Sequence, residues 1–386
     1  MSRSEFTNRI RHIFATLLLL CAGSATSLSF AADQTYDIET VASGLDFPWS
    51  IAFLPNGDYL VAELVGNVRR ISADGTVHPP IEGVPPVFRM SQGGLFDVLL
   101  APDFASTGIL YLSYAAGPPE NNATTIARAR LVDNRLENVE EIFAASPRKP
   151  TPVHYGGRML WLQDGTLLLA TGDGFDYREE AQNIGSHFGK TLRMNPDGSP
   201  ANGNPFPQNP YVWTYGHRNP QGLIISSKGT VYLHEHGPQG GDEINIIEQG
   251  KNYGWPAITY GLDYNGAYVS PLTEYPGMAQ PEHVWTPSIA PSGFMIYEGD
   301  QFPDWKGDLF IGALVDQEVR HINLDGGALG EESVVFAEIT DRVRDIRQSP
   351  SGDIFVLTDG NQGEVFRIRA THDSSTTTQA EASNAR

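Results

Sequence analysis

The chain has 386 residues, 40% of them hydrophobic, and carries 26 basic against 46 acidic residues for a formal charge of −20. That length supports one large core or two ordinary ones, and so acidic a balance argues against a nucleic-acid partner. Cys21 is the only cysteine, so no intrachain disulfide can hold the fold.

Met1 to Ala32 reads as a secretory signal. Arg3, Arg9 and Arg11 precede an apolar run from Ile13 to Cys21, and small residues around Ser29-Phe30-Ala31-Ala32 offer a cleavage site. The run is too short to span a bilayer, and the leucine before Cys21 fits a lipoprotein signal poorly. Cleavage leaves 23 basic and 45 acidic residues, a charge of −22, and no thiol. A periplasmic or secreted protein is expected.

From residue 33 to 370 one unit recurs: a short apolar strand, a turn rich in Gly, Asp, Asn or Pro, and a return strand. Its copies begin at Trp49–Phe53, Leu95–Val98, Arg158–Trp161, Gly222–Ile225, Gly293–Ile296 and Val343–Ile346. Two-residue turns, short strands and little helical periodicity point to an all-β fold, and six copies of one turn grammar favour a six-bladed β-propeller over paired β-sandwiches. Extra residues between Thr171 and Tyr211 and between Gly250 and Pro291 predict long loops on one face. Residues 371–386 are rich in Ser, Thr, Ala and Gln and read as a disordered tail.

His154 precedes the strand that begins near Gly156, and the return strand ends at Thr171-Gly172-Asp173. A two-residue turn at Asp164-Gly165 would set Asp173 opposite Gly156, placing His154 and Asp173 at one end of a hairpin. An aspartate there orients an imidazole for general-base work; the alternative is that both residues merely terminate loop and strand. Gln92, Arg218 with Asn219, and Arg342 with Arg344 each begin a repeat unit, so in a propeller they converge on the central channel as donors for an anionic ligand. His234 and His236 alternate on a strand but lack a third ligand, which favours a structural or solvent-facing role over a metal pair. The carbonyls of Gly237-Pro238 and the carboxylate of Glu243 are hard oxygen donors of the kind calcium prefers.

Taken together and in order, Gln92-Gly93-Gly94-Leu95, His154-x-Gly-Gly-Arg158, Gly216 to Gly222, Gly237-Pro238, Gly241 to Asn245, Asn252 to Pro256 and Arg342-x-Arg344-Asp345 resemble the soluble pyrroloquinoline-quinone (PQQ) glucose/sorbosone dehydrogenases, in particular their periplasmic aldose sugar dehydrogenase branch. The resemblance covers Tyr36 to Arg369. It implies a propeller enzyme that oxidises the anomeric carbon of aldoses to lactones and passes electrons to an external acceptor, a quinone or a cytochrome. It casts His154 as the base, Asp173 as its orienting carboxylate and Arg218 as the stabiliser of charge on the quinone. Gln92, Arg218, Asn219, Arg342 and Arg344 would hold the cofactor. Gly237 and Pro238 would bind one calcium, and Glu243 and Tyr253 a second. The chain departs from the family in carrying Val315 where a lysine is frequent, and Val153 where relatives have a polar residue. Two rival readings share the fold: a non-catalytic propeller that binds a protein or glycan, and a calcium-dependent lactonase.

Overall fold

The computed structural model describes residues 35–371, so the expected signal and all but the first residue of the expected tail lie outside the described residues. Six four-stranded antiparallel sheets form the blades of a propeller, as the repeat implies. The innermost strands, Pro48–Phe53, Leu95–Leu100, Gly156–Trp161, Pro220–Ile225, Pro291–Ile296 and Val343–Gln348, coincide with the six repeat starts. Second strands such as Tyr59–Glu63, Leu167–Thr171 and Leu309–Ala313 are buried at every position. They read as unbroken apolar runs because blades cover both of their faces. The sixth blade is completed by the first described strand, Tyr36–Leu45, which pairs with Gly363–Ala370 and so joins the two ends of the ring in one sheet. Among the described residues no helix is long and apolar enough to cross a membrane.

Two local features correct the expected registers. The inner hairpin turns are longer than two residues: Leu54 N–H donates to Asp58 O at 2.8 Å, and Leu162 N–H to Thr166 O at 2.9 Å, with Gly57 and Gly165 in the left-handed region at φ 90° and 79°. A left-handed glycine closing a three-residue loop accounts for the turn composition. In addition, each of the six inner hairpins has a bulge near the start of its innermost strand. Gly156 consequently pairs with Thr171, and the same register carried two residues onward sets Asp173 across from His154 instead of Gly156.

The bulges also align one residue per blade on the axis: Ser50, Asp97, Arg158, Gly222, Gly293 and Asp345. Arg158 is 2% exposed and donates to Asp345 at 3.0 Å, with Asp97 at 3.7 Å. Its guanidinium lies 4.1 Å from the centre of the Trp49 ring, and its Nε donates to Gln221 O at 2.8 Å. Glycine is required opposite: a Cβ on Gly293 would stand 2.4 Å from Ile346 N, and one on Gly222 2.2 Å from His234 Nε2.

The longest connections supply the loops. Residues 172–189 leave the hairpin at the His154 end. The 248–282 segment begins at the far end of the fourth blade, then climbs beside the outer strand of the third, with Tyr253 N–H on Tyr215 O at 2.8 Å and Trp255 N–H on Gly216 O at 2.9 Å. Both segments therefore arrive at the same end of the propeller.

Arg158→Met leaves Asp97 and Asp345 buried without their shared cation, and urea unfolding is expected to show a loss of about 3–5 kcal/mol. A loss below about 1 kcal/mol would mean that shape alone packs the axis.

Candidate active site

His154 sits just before the third blade's innermost strand with φ 53°, an uncommon backbone state for a residue with a side chain. Glycine at 172 makes it possible, since a Cβ there would stand 2.4 Å from His154 O. Gln92 Oε1 accepts from His154 N–H at 2.8 Å. The buried Lys149 donates to Thr151 O at 2.6 Å and Val153 O at 2.5 Å, pinning the loop that carries the imidazole.

His154 Nδ1 meets Asp173 Oδ1 at 2.7 Å, with the two side chains 5% and 1% exposed. Asp173 is itself held twice more, by Phe175 N–H on Oδ1 at 2.7 Å and by the Trp255 indole N–H on Oδ2 at 2.7 Å. A carboxylate with these donors receives the Nδ1 proton as an acceptor, which leaves the Nε2 lone pair available. Burial pulls the His154 pKa below its ordinary value, Asp173 pulls it back up, and the charges of Arg218 and Lys149 oppose protonation. The imidazole is therefore neutral at pH 7, as a base must be. The Trp255 motif gives no sign of this bond in the sequence: its partner is 82 positions away, and the climb of residues 251–255 brings them together.

Arg218 shares the cleft with His154. Its guanidinium donates to Gly237 O at 2.6 Å, His236 O at 3.0 Å and Tyr264 Oη at 3.3 Å, while its buried Nε has no partner. The adjoining channel cavity, of about 310 Å³, is lined by Gln92, Asn219, Arg342 and Arg344, as the repeat positions imply, together with Arg89, which sequence reasoning did not single out. Asp359 is the counter-ion of Arg342 at 3.0 Å and of Arg344 at 3.4 Å, and Arg344 Nε is also buried and unpartnered. Three guanidiniums against one carboxylate suit an anionic ligand with several acceptors. Val315 is 57% exposed and forms an apolar stretch of the wall.

Gly237, Glu243 and Tyr253 border a small cavity of about 10 Å³, while Pro238 lines the larger cleft beside His154. Glu243 lies directly across the strand pair from Glu235. Burial and that second carboxylate push Glu243 up to about 8. The Tyr253 hydroxyl donates to Ile246 O at 2.6 Å and accepts from Glu248 N–H at 2.8 Å, so only its main chain is free to meet a cation. Among the described residues no three His, Cys, Asp or Glu side chains cluster as a metal site. His234 and His236 do not form a metal pair: His234 is fully buried against Phe294, and the His236 Nε2 is bonded to Pro291 O at 2.8 Å. A structural role fits both; a solvent-facing one does not fit His234.

The family model for glucose/sorbosone dehydrogenases matches residues 45–367. The aldose sugar dehydrogenase of Escherichia coli is 37% identical over 93% of this chain and 98% of its own length. Its apo-form crystal structure superposes with a TM-score of 0.84 at 36% identity, covering 87% of this chain and 100% of that one. The PQQ-bound aldose sugar dehydrogenase of Streptomyces coelicolor is 29% identical, with a TM-score of 0.72 over 87% of this chain and 99% of that one.

NMR titration of His154 is expected to give a midpoint below the ordinary value of about 6.5. Asp173→Asn removes the two contributions that raise it, so the midpoint should fall further; a rise would mean that the carboxylate does not govern the imidazole.

Proposed function

The chain belongs to the glucose/sorbosone dehydrogenase family, and we propose that it oxidises the anomeric carbon of aldose sugars to lactones with PQQ as cofactor. The observation that carries this reading is the buried His154–Asp173 pair, which opens beside Arg218 onto one cleft. It disfavours a non-catalytic propeller, for which a neutral base held by a triply bonded carboxylate has no use.

PQQ, when bound, supplies a two-electron acceptor for the hydride that leaves C1. His154 Nε2 takes the proton of the anomeric hydroxyl, and Asp173 on Nδ1 stabilises the imidazolium so formed. Arg218 presents donors to negative charge that develops in the cleft, where its unpartnered Nε has hydrogen-bonding capacity to spare. Gln92, Asn219, Arg342 and Arg344 would hold the cofactor, and the unpartnered Nε of Arg344 supports that fit. Val315 removes one family cation, a loss of about 1.5–3 kcal/mol for a charged hydrogen bond. Arg89, on the same cavity, offsets part of it.

Calcium suits two places. The carbonyls of Gly237 and Pro238 would hold one ion beside the cofactor. Glu243 with the main chain of Tyr253 would hold another, where the facing Glu235 leaves two buried carboxylates in need of positive charge. The N-terminal residues support export to the periplasm, and a quinone or cytochrome outside the protein completes turnover.

Dye-linked aldose oxidation by the mature protein is expected to require both PQQ and calcium; activity in the absence of PQQ would overturn the reading. His154→Ala should keep PQQ affinity within a few-fold while oxidation falls by about 10²–10⁴. Equal losses of both would assign His154 to cofactor binding. Because burial raises Glu243 above its unfolded value, cation-free stability should fall as pH rises from about 4.5 to about 8. Calcium should flatten that slope and add about 2.7 kcal/mol per occupied site at a hundredfold excess over Kd, and Glu243→Gln should remove the share of its own site in thermal melts.

A further inference from the structure

Val315 stands in the channel wall where the family frequently carries a lysine, and Arg89 lines the same cavity but lies outside the residues that the resemblance casts as cofactor ligands. Arg89 comes from the connection 81–94, which leads from the outer strand of the first blade into the second blade. Val315 follows the strand Leu309–Ala313 of the fifth blade. The second and fifth blades are three steps apart in a ring of six, so the two residues face the channel from opposite sides.

Arg89 has the geometry of a prepared donor. Its Nη1 donates to Ser91 O at 2.6 Å and Gly93 O at 3.2 Å, and the guanidinium carbon lies 5.6 Å from the centre of the Phe47 ring. The turn presenting those carbonyls is tight: Gly93 N–H donates to Met90 O at 2.8 Å, and a Cβ on Gly93 would stand 2.8 Å from Phe88 O. Gln92, in the same turn, is tied by its N–H to Pro152 O at 3.1 Å and by Oε1 to the His154 N–H at 2.8 Å. Among the described residues no carboxylate pairs with Arg89, and its Nε and Nη2 donate to no protein group. That edge is the fork that takes a carboxylate in two parallel bonds. The side chain is exposed, so a ligand can reach it. Anchoring it in the ligand-free protein lowers the entropy lost on binding.

Arg342 and Arg344, the other two guanidiniums of the cavity, are both committed to Asp359. They are two cations against one anion, while PQQ brings three carboxylates. Resting on the PQQ dehydrogenase reading, we propose that Arg89 is a further cofactor-binding residue: its Nε–Nη2 edge grips a carboxylate of PQQ and supplies, from the opposite wall, the cation that Val315 leaves out.

Isothermal titration of PQQ into the mature protein, with calcium present and no sugar or dye, tests this apart from turnover. Arg89→Ala is expected to weaken binding about 10- to 100-fold at low salt, the range for one charged hydrogen-bonded contact. Arg89→Lys, which keeps the charge without the fork, should bind at least threefold more tightly than Arg89→Ala. The gap between wild type and Arg89→Ala should narrow as salt is raised, because screening weakens the contact that the variant has already lost. Val315→Lys added to Arg89→Ala should restore tenfold or more, and no gain would overturn the exchange of one cation for the other. Unchanged affinity in Arg89→Ala overturns the proposal. So does a loss that lysine does not relieve and salt does not alter, which would assign Arg89 to holding the Gln92 turn. A wild type that binds no PQQ removes the cofactor reading and this proposal with it, whereas a wild type and an Arg89→Ala variant that bind equally remove the proposal alone.

Discussion

Everything at the working end of this propeller is registered against a buried charge cluster on its axis. Arg158 reaches Asp345 and Asp97 from the third blade to the sixth and second, and Arg347 adds a 3.2 Å contact to Asp345. Two cations and two anions cancel, so the cluster is tolerable in a dry interior, yet none of its members can shift alone without leaving a buried charge unpaired. Its width is set by what faces it. Ser50, Gly222 and Gly293 occupy the equivalent positions of the other blades, and a Cβ on either glycine would collide, with the His234 ring at 222 and with the backbone of Asp345 and Ile346 at 293.

The same bulges that aim these residues inward determine where the strands begin at the site end. A bulge adds a residue to one strand and turns the chain. His154 stands in left-handed backbone directly before its strand, with Phe175 in a similar state two residues beyond Asp173. Both departures from relaxed geometry flank one carboxylate, and that carboxylate bonds to both residues and to Trp255. Strain of about 1–3 kcal/mol per residue persists only where the surroundings over-determine it. Lys149, with two loop carbonyls and the Tyr155 ring at 3.7 Å, supplies part of that surplus.

Charge is divided by region. The channel cavity is lined by Arg89, Arg342 and Arg344 with Asp359, and the pocket on His154 by Asp173, Asp176 and Asp263 with Arg178 and Arg218. Arg218 belongs to both regions and is anchored by backbone oxygens, so its charge is not consumed by a carboxylate.

Composition, the six-fold turn grammar and the order of the motifs were enough to determine the propeller, because alternation and turn chemistry act over a few residues and repeat. Gln92, Arg218, Asn219, Arg342 and Arg344 could be singled out because they stand near the starts of repeats, and His154 with Asp173 because they flank the two ends of one hairpin. Ring closure by Tyr36–Leu45, the axial partnership of Arg158, the bond from Trp255 to Asp173 and the Glu235–Glu243 opposition were decided by tertiary structure alone. Each joins residues through a register that one bulge or one extra loop residue changes, and a side-chain period of two makes a one-residue slip reverse every facing contact. Local sequence therefore carried the blades, while the meeting of distant strands at the axis made the site.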